Sequence, residues 1–234
     1  SNIMQRVSLP VFARSRSREE LRALHDRMVR THASVLVPLL AAFIAAAPVA
    51  VPWVFGSAWT PAVAPAQIMA VAGMSEAIMA GIGPLMVSIG RPGVLLRFNL
   101  AAFALYAVTI YALVPFGLEA VAVGVASFGV LVVIGFQLFV RRPFVWLTWR
   151  DLWLETRAGI VTGVGVLATG TAVRESLEAL DTPAAALLGL VGAAVLVVYI
   201  ALLRSLFPGE LDSLRRIFGA VSGRSSARRF TART

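Results

Sequence analysis

The run LEAVAVGVASFGVLVVIGFQLFVRR, residues 118–142, decides the fold. Between Glu119 and Arg141 it holds no charged side chain, and two arginines close it. A helix rises about 1.5 Å per residue and must cross about 30 Å of hydrocarbon, so about 20 apolar residues span a bilayer. Residues 118–140 meet that length. Working outward, five more segments meet or approach it: 34–55 with no charge, 64–89 with Glu76 as its single charge, 98–115, 158–173 and 183–203. Segment 158–173 is short and must borrow its flanks. The connections carry turn residues: Gly56 to Pro61, Gly90-Arg91-Pro92-Gly93 and Pro115-Phe116-Gly117. Such short loops make consecutive spans antiparallel. The expectation is an all-α, polytopic membrane helix bundle with six transmembrane helices.

Composition agrees. Of the 234 residues 59% are hydrophobic and 14% charged, against roughly 25% charged in an ordinary soluble domain. Mean hydropathy is +0.83. A water-soluble globular enzyme is thereby nearly excluded. All 21 basic residues are arginine. Without lysine there is no Schiff base and no P-loop lysine. Without cysteine there is no disulfide, thiolate nucleophile or Cys-ligated zinc. Two histidines, His25 and His32, make a histidine-based metal site or triad improbable. No HExxH, Walker A or G-x-S-x-G motif occurs, and Gly163 to Ala168, a formal G-x-G-x-x-A, lies in an apolar run rather than after a strand. The expectations are no catalysis, no metal and no cofactor.

The net charge of +9 could suggest a nucleic-acid partner. Sorted along six spans it is a topology signal instead. One side collects 20 of the 21 arginines; the other has Arg174 alone, with Glu119, Glu175, Glu178 and Asp181. The positive-inside rule puts the arginine-rich side, with both termini, in the cytoplasm. Residues 17–30 read as an amphipathic helix with capping-box spacing at Ser17 and Glu20 and an apolar face of Leu21, Leu24 and Met28. It suits a helix at the cytoplasmic membrane surface, attracted to anionic lipid; a solvated connector is the plainer alternative. Residues 141–157 interleave arginine with Phe144, Trp146, Trp149 and Trp153. Between two spans this reads as an interfacial aromatic belt, not a single-stranded nucleic-acid site. Leu211, Leu214 and Phe218 make a further apolar face, and the tail beyond is basic and Ser/Ala-rich, with lipid contact expected.

Five residues are candidates for a transport path. Glu76 lies near the centre of its span, where a carboxylate costs a few kcal/mol or more unless wet, paired or protonated. It reads as a proton, ion or polar-substrate contact, or equally as a protonated acid packed between helices. Asn99 and Gln137, inside the cytoplasmic ends of the third and fourth spans, and Gln67, near the outer end of the second, could line a polar path; interhelical hydrogen bonding is the commoner role. Arg97 can snorkel to the interface. Gly73, Ala77 and Gly81, with Pro84 close by, predict a close-packing face and then a kink.

The order of these features resembles a family. Arg6-Val7-Ser8-Leu9-Pro10-Val11-Phe12-Ala13-Arg14 resembles the R-V-x-x-P-x-F-x-R run of bacterial polysaccharide transporters, and a basic amphipathic helix follows it there too. Pro38-Leu39, the F-G-x-x-W-x-x-A run from Phe55 to Ala62, Gln67 to Ala70, and the Gly90-Arg91-Pro92 turn match further segments in order. The chain thus resembles the lipid-linked oligosaccharide and polysaccharide flippases of the multidrug/oligosaccharidyl-lipid/polysaccharide exporter superfamily, specifically over about residues 1–100. The resemblance implies two six-helix bundles facing a central cavity, with two added C-terminal helices. The chain would then be the C-terminal portion of a twelve- to fourteen-helix transporter. In that register, 1–33 is a cytoplasmic segment and 34–140 holds four helices of the second bundle. Residues 141–157 are a cytoplasmic interfacial loop, 158–203 two added helices, and 204–234 a basic cytoplasmic tail.

The implied function is alternating-access flipping of a polyprenyl-diphosphate-linked oligosaccharide across the bacterial plasma membrane. The implied partners are that lipid-linked oligosaccharide, anionic membrane lipids, and an N-terminal bundle from the same protein or a partner chain; no nucleic acid is implied. The departure is that no cation for a diphosphate stands mid-span, so this chain is expected to supply one wall of a cavity. The alternatives are a multidrug exporter of the same superfamily, with Glu76 as its cation-coupled site, and a non-transporting scaffold of a glycan-assembly complex. An integral-membrane glycosyltransferase has only the weak cluster Glu175, Glu178 and Asp181 in its favour.

Overall fold

A computed structural model describes residues 18–79, 81–145 and 147–211. The arginine- and proline-bearing run within 1–17, Ser17 of the expected capping box, Trp146, and Leu214 and Phe218 of the tail lie outside the described residues. Every described element is helical, as the span count requires. Six helical stretches are long and apolar enough to cross a membrane.

Helix α1 runs Arg18–Phe55, 38 residues. No glycine or proline stands between Arg18 and Val37, so nothing separates the amphipathic segment from the first span. The helix expected along the membrane surface instead continues the span as one rod about 57 Å long. Pro38, Pro48 and Pro52 lie inside it. Each removes the N–H that would bond the carbonyl four residues back. Two of those carbonyls find side-chain donors: Tyr199 Oη donates to Ser34 O at 2.9 Å, and Gln67 Nε2 donates to Ile44 O at 2.7 Å.

Gly56, at φ 96°, leads into a 3₁₀ turn, Ser57–Ala62. Helices α2 (Val63–Ile78) and α3 (Ile82–Ser88) make up the second span. The expected kink falls between them, at Gly81 rather than Pro84. Gly81 takes φ 80°, a left-handed backbone that costs glycine little. Pro84 sits in the first turn of α3, where its missing N–H would have had no helical acceptor. Helix α4 (Pro92–Leu113) and a 3₁₀ turn (Val114–Phe116) lead to α5 (Leu118–Phe136). A π-helical segment, Gln137–Val145, follows. Helix α6 (Trp149–Glu178) starts at a capping box in which Thr148 and Asp151 bond each other's backbone N–H. Residues 149–157, expected as loop, are therefore helix, and they supply the length that 158–173 lacked. Helix α7 (Ala184–Leu206) is the sixth span.

Helix α1 is the spine. Leu21, His25, Val29, Ala33, Val37, Ala41 and Ala45 are buried along it at every fourth position. Helix α6 lies against this stripe through Glu155, Gly159, Thr162, Gly163, Val166 and Gly170. A Cβ on Gly159 would overlap the Ala33 carbonyl; one on Gly163 would come 2.8 Å from Val37, and one on Gly170 2.7 Å from Ala45. The glycines let the two backbones meet, which is how helices gain packing energy where lipid is as apolar as a side chain. Gly165, on another face, abuts Leu202 of α7, so the G-x-G-x-x-A run is a packing feature. Helix α4 has no buried residue and leans on α5, leaving a groove beside α2.

Ion pairs mark both ends. Arg22 meets Asp151 at 3.9 Å and Arg30 meets Glu210 at 3.6 Å. These join the starts of α1 and α6 to the residues just after α7. At the opposite end Arg174 meets Glu175 and Glu178.

Candidate functional site

Between α2, α4 and α5 lies a cavity of about 630 Å³, within the size range of ligand pockets. Its cause is local. Gly129 of α5 sits close on Ser75 of α2, where a Cβ would be 3.2 Å from the serine side chain. Ser75 is buried, and the next residue, Glu76, is exposed into the cavity. From α4, Asn99, Phe103 and Tyr106 face it, and Tyr106 packs on Phe128 of α5 with ring centroids 5.2 Å apart. Glu76 has no ion-pair partner among the described residues. The cavity therefore holds one carboxyl, one amide, one phenol and the Ser75 hydroxyl among aromatic, methionine and small aliphatic side chains. Such a surface can take an amphiphile whose polar part bonds to Glu76, Asn99 or Tyr106 and whose apolar part lies on the rings.

Two of the five expected path residues, Glu76 and Asn99, meet in this cavity. Gln67 is occupied elsewhere, on the Ile44 carbonyl. Gln137 is 1% exposed and donates to Leu147 O at 2.9 Å, closing the π-helical segment on itself. Arg97 is exposed and outside the cavity lining.

A second polar centre lies beyond what the sequence reading anticipates. Arg141, expected in the interfacial belt with Arg142, is turned inward; Arg142 stays exposed. Arg141 Nη2 donates to Glu155 Oε1 at 2.7 Å and Oε2 at 2.6 Å, with Arg141 4% and Glu155 1% exposed. The π-helical segment supplies the cause: its wider turn changes the angular position of each residue from the helix that precedes it. On α1, His25 is buried against the same centre, beside Gln137 and Arg141. The signal is present in the periodicity. His25 is in register with Leu21, Val29 and Ala33, and Glu155 with Gly159 and Thr162, so each belongs to a buried stripe despite its polarity. Below this centre, burial pushes the Glu210 carboxyl above the usual carboxylate range, with Arg30 acting against it.

Residues 1–64 match the profile of a family described as polysaccharide biosynthesis protein. The matched stretch includes α1 and the Gly56–Ala62 turn. It covers 64 of the 234 residues. No match was found among curated proteins or among solved structures.

Proposed function

We propose that this chain forms part of a transporter that moves a lipid-linked oligosaccharide or polysaccharide precursor across the bacterial plasma membrane. It is a multi-pass chain with its arginine-rich end in the cytoplasm. The observation that carries the reading is the match of residues 1–64 to polysaccharide biosynthesis proteins. The groove between α2, α4 and α5 supports it, because a substrate with a sugar head and a long hydrocarbon tail needs polar contacts beside an apolar, laterally open wall. In this reading Glu76, Asn99 and Tyr106 bond to hydroxyl groups and the rings carry the apolar portion. The chain is one wall of the path, completed by further helices of the same protein or of a partner. It performs no covalent chemistry.

The test is complementation. In a strain deleted for the gene, the wild-type gene restores surface polysaccharide, and Glu76→Ala reduces it at least severalfold with the protein still in the membrane. Full restoration by Glu76→Ala would falsify the assignment of the groove as path.

A second reading is favoured by one feature. An acid among Phe103, Tyr106 and Phe128 also suits an organic cation. Export of cationic amphiphiles predicts a strain hypersensitive to such compounds with normal polysaccharide, the reverse of the first outcome.

A further inference from the structure

We propose that the void at the break in the second span is a binding site for one water molecule, held by His25, Gln137 and Arg141, with Met79 dividing it from the Glu76 groove. The inference rests on packing and hydrogen-bond accounting and not on the transport reading.

Two irregular stretches of backbone face each other across this void. Ile78, Met79 and Ile82 flank the break between α2 and α3. Phe136 and Gln137 mark the place where α5 gives way to the π-helical segment, which also supplies Arg141. His25 of α1 and Leu152 of α6 help to close the space. The void measures about 10 Å³, room for one water. His25, Gln137 and Arg141 are each more than nine-tenths buried. His25 Nδ1 lies at the kink itself, 3.5 Å from the place a Cβ on Gly81 would occupy.

The unpaired atoms name the ligand. Both ring nitrogens of His25, Gln137 Oε1 and Arg141 Nε are buried without a hydrogen-bond partner among the described residues. The remaining polar groups of the last two side chains are engaged: Gln137 Nε2 donates to Leu147 O, and Arg141 Nη2 to Glu155. What stands over is an acceptor on Gln137, a donor on Arg141, and one of each on a neutral imidazole. Buried polar groups are seldom left so. A water donates to Gln137 Oε1 and to the imidazole lone pair while accepting from Arg141 Nε. That makes about three hydrogen bonds, the usual number for a buried water. A small anion has no proton for the Gln137 oxygen, and a cation would meet the Arg141 guanidinium.

Met79 lines both this void and the groove that holds Glu76. Its side chain is unbranched, with three rotatable bonds, so it can swing aside without disturbing the backbone. Water therefore enters from the groove past one side chain.

The test is solid-state NMR of the full chain in lipid bilayers, labelled with ¹⁵N-histidine. The chain has two histidines, so His32→Gln assigns the signals. The expected result is magnetisation transfer from water protons to the His25 ring. Val133 lines the void, and Val133→Leu fills it; the transfer should fall at least severalfold, with helical content checked by circular dichroism. Met79→Ala opens the wall, and saturation of bulk water should then reach His25 at least severalfold faster than in wild type. Absence of transfer to His25 in wild type overturns the water site, as does undiminished transfer in folded Val133→Leu protein. Equal saturation rates in wild type and Met79→Ala overturn the role given to Met79.

Discussion

Tyr199 Oη donates a 2.9 Å hydrogen bond to the Ser34 carbonyl, the acceptor that Pro38 leaves without its helical N–H. Gln67 does the same for Ile44 beneath Pro48. A polar side chain on a neighbouring helix thus repairs a defect that proline makes in α1, and in doing so fixes where that neighbour docks. Proline is tolerated within membrane helices on this condition.

The repair at Pro48 gives a first prediction. Gln67→Leu should cost about 1–3 kcal/mol by leaving a carbonyl unpaired, read as a lower thermal midpoint in detergent. Pro48→Ala returns an N–H four residues after Ile44. In the double variant the cost should shrink by about 1 kcal/mol. Additive costs would show that Gln67 and Pro48 are not linked.

The glycine seam gives a second. Gly159→Val forces a side chain into the Ala33 carbonyl and should destabilise by about 1–3 kcal/mol or more. Gly189 and Gly192, in α7, have nothing within 4 Å of the place a Cβ would occupy. Replacing Gly189 by Ala should be neutral or stabilise by up to about 1 kcal/mol. Thermal midpoints of the two variants should move in opposite directions or by clearly different amounts.

The buried ion pair gives a third. Arg141→Met removes the only cation bonded to Glu155 among the described residues, so it should cost about 3–5 kcal/mol. Arg142→Met, at an exposed neighbour, should stay within about 0.5 kcal/mol. Equal denaturation midpoints for the two variants would contradict the inward placement of Arg141.

Orientation gives a fourth. The chain has no cysteine, so single cysteines can be introduced without background. With the arginine-rich side in the cytoplasm, Ser57→Cys and Thr182→Cys should react with an impermeant maleimide added to whole cells. Gly90→Cys and Ser205→Cys should react only after permeabilisation. The inverse pattern would place the termini outside.

Much of this fold is legible along the chain, and for one reason. A bilayer imposes a length and a charge rule on each segment separately, so six apolar runs and the sorting of arginines can be read without knowing any contact. The kink is legible to within three residues, since glycine and proline both break helices and only the backbone shows which does. Glu76 and Asn99 can each be singled out, because polarity inside an apolar run is visible locally. Their shared cavity cannot, since it depends on α4 leaning on α5 and away from α2.

What the sequence by itself determined is the class of protein: an all-helical chain with six membrane-length spans, lacking the lysine and cysteine chemistry of many enzymes. What only the tertiary structure decided is which polar residues meet. Gln67 and Gln137 are spent on backbone carbonyls, and Arg141 turned from the interface to Glu155. Spans are set by solvent acting on each segment alone. Pairings are set by helix rotation and by a π-helical turn, and those answer to every neighbouring helix at once.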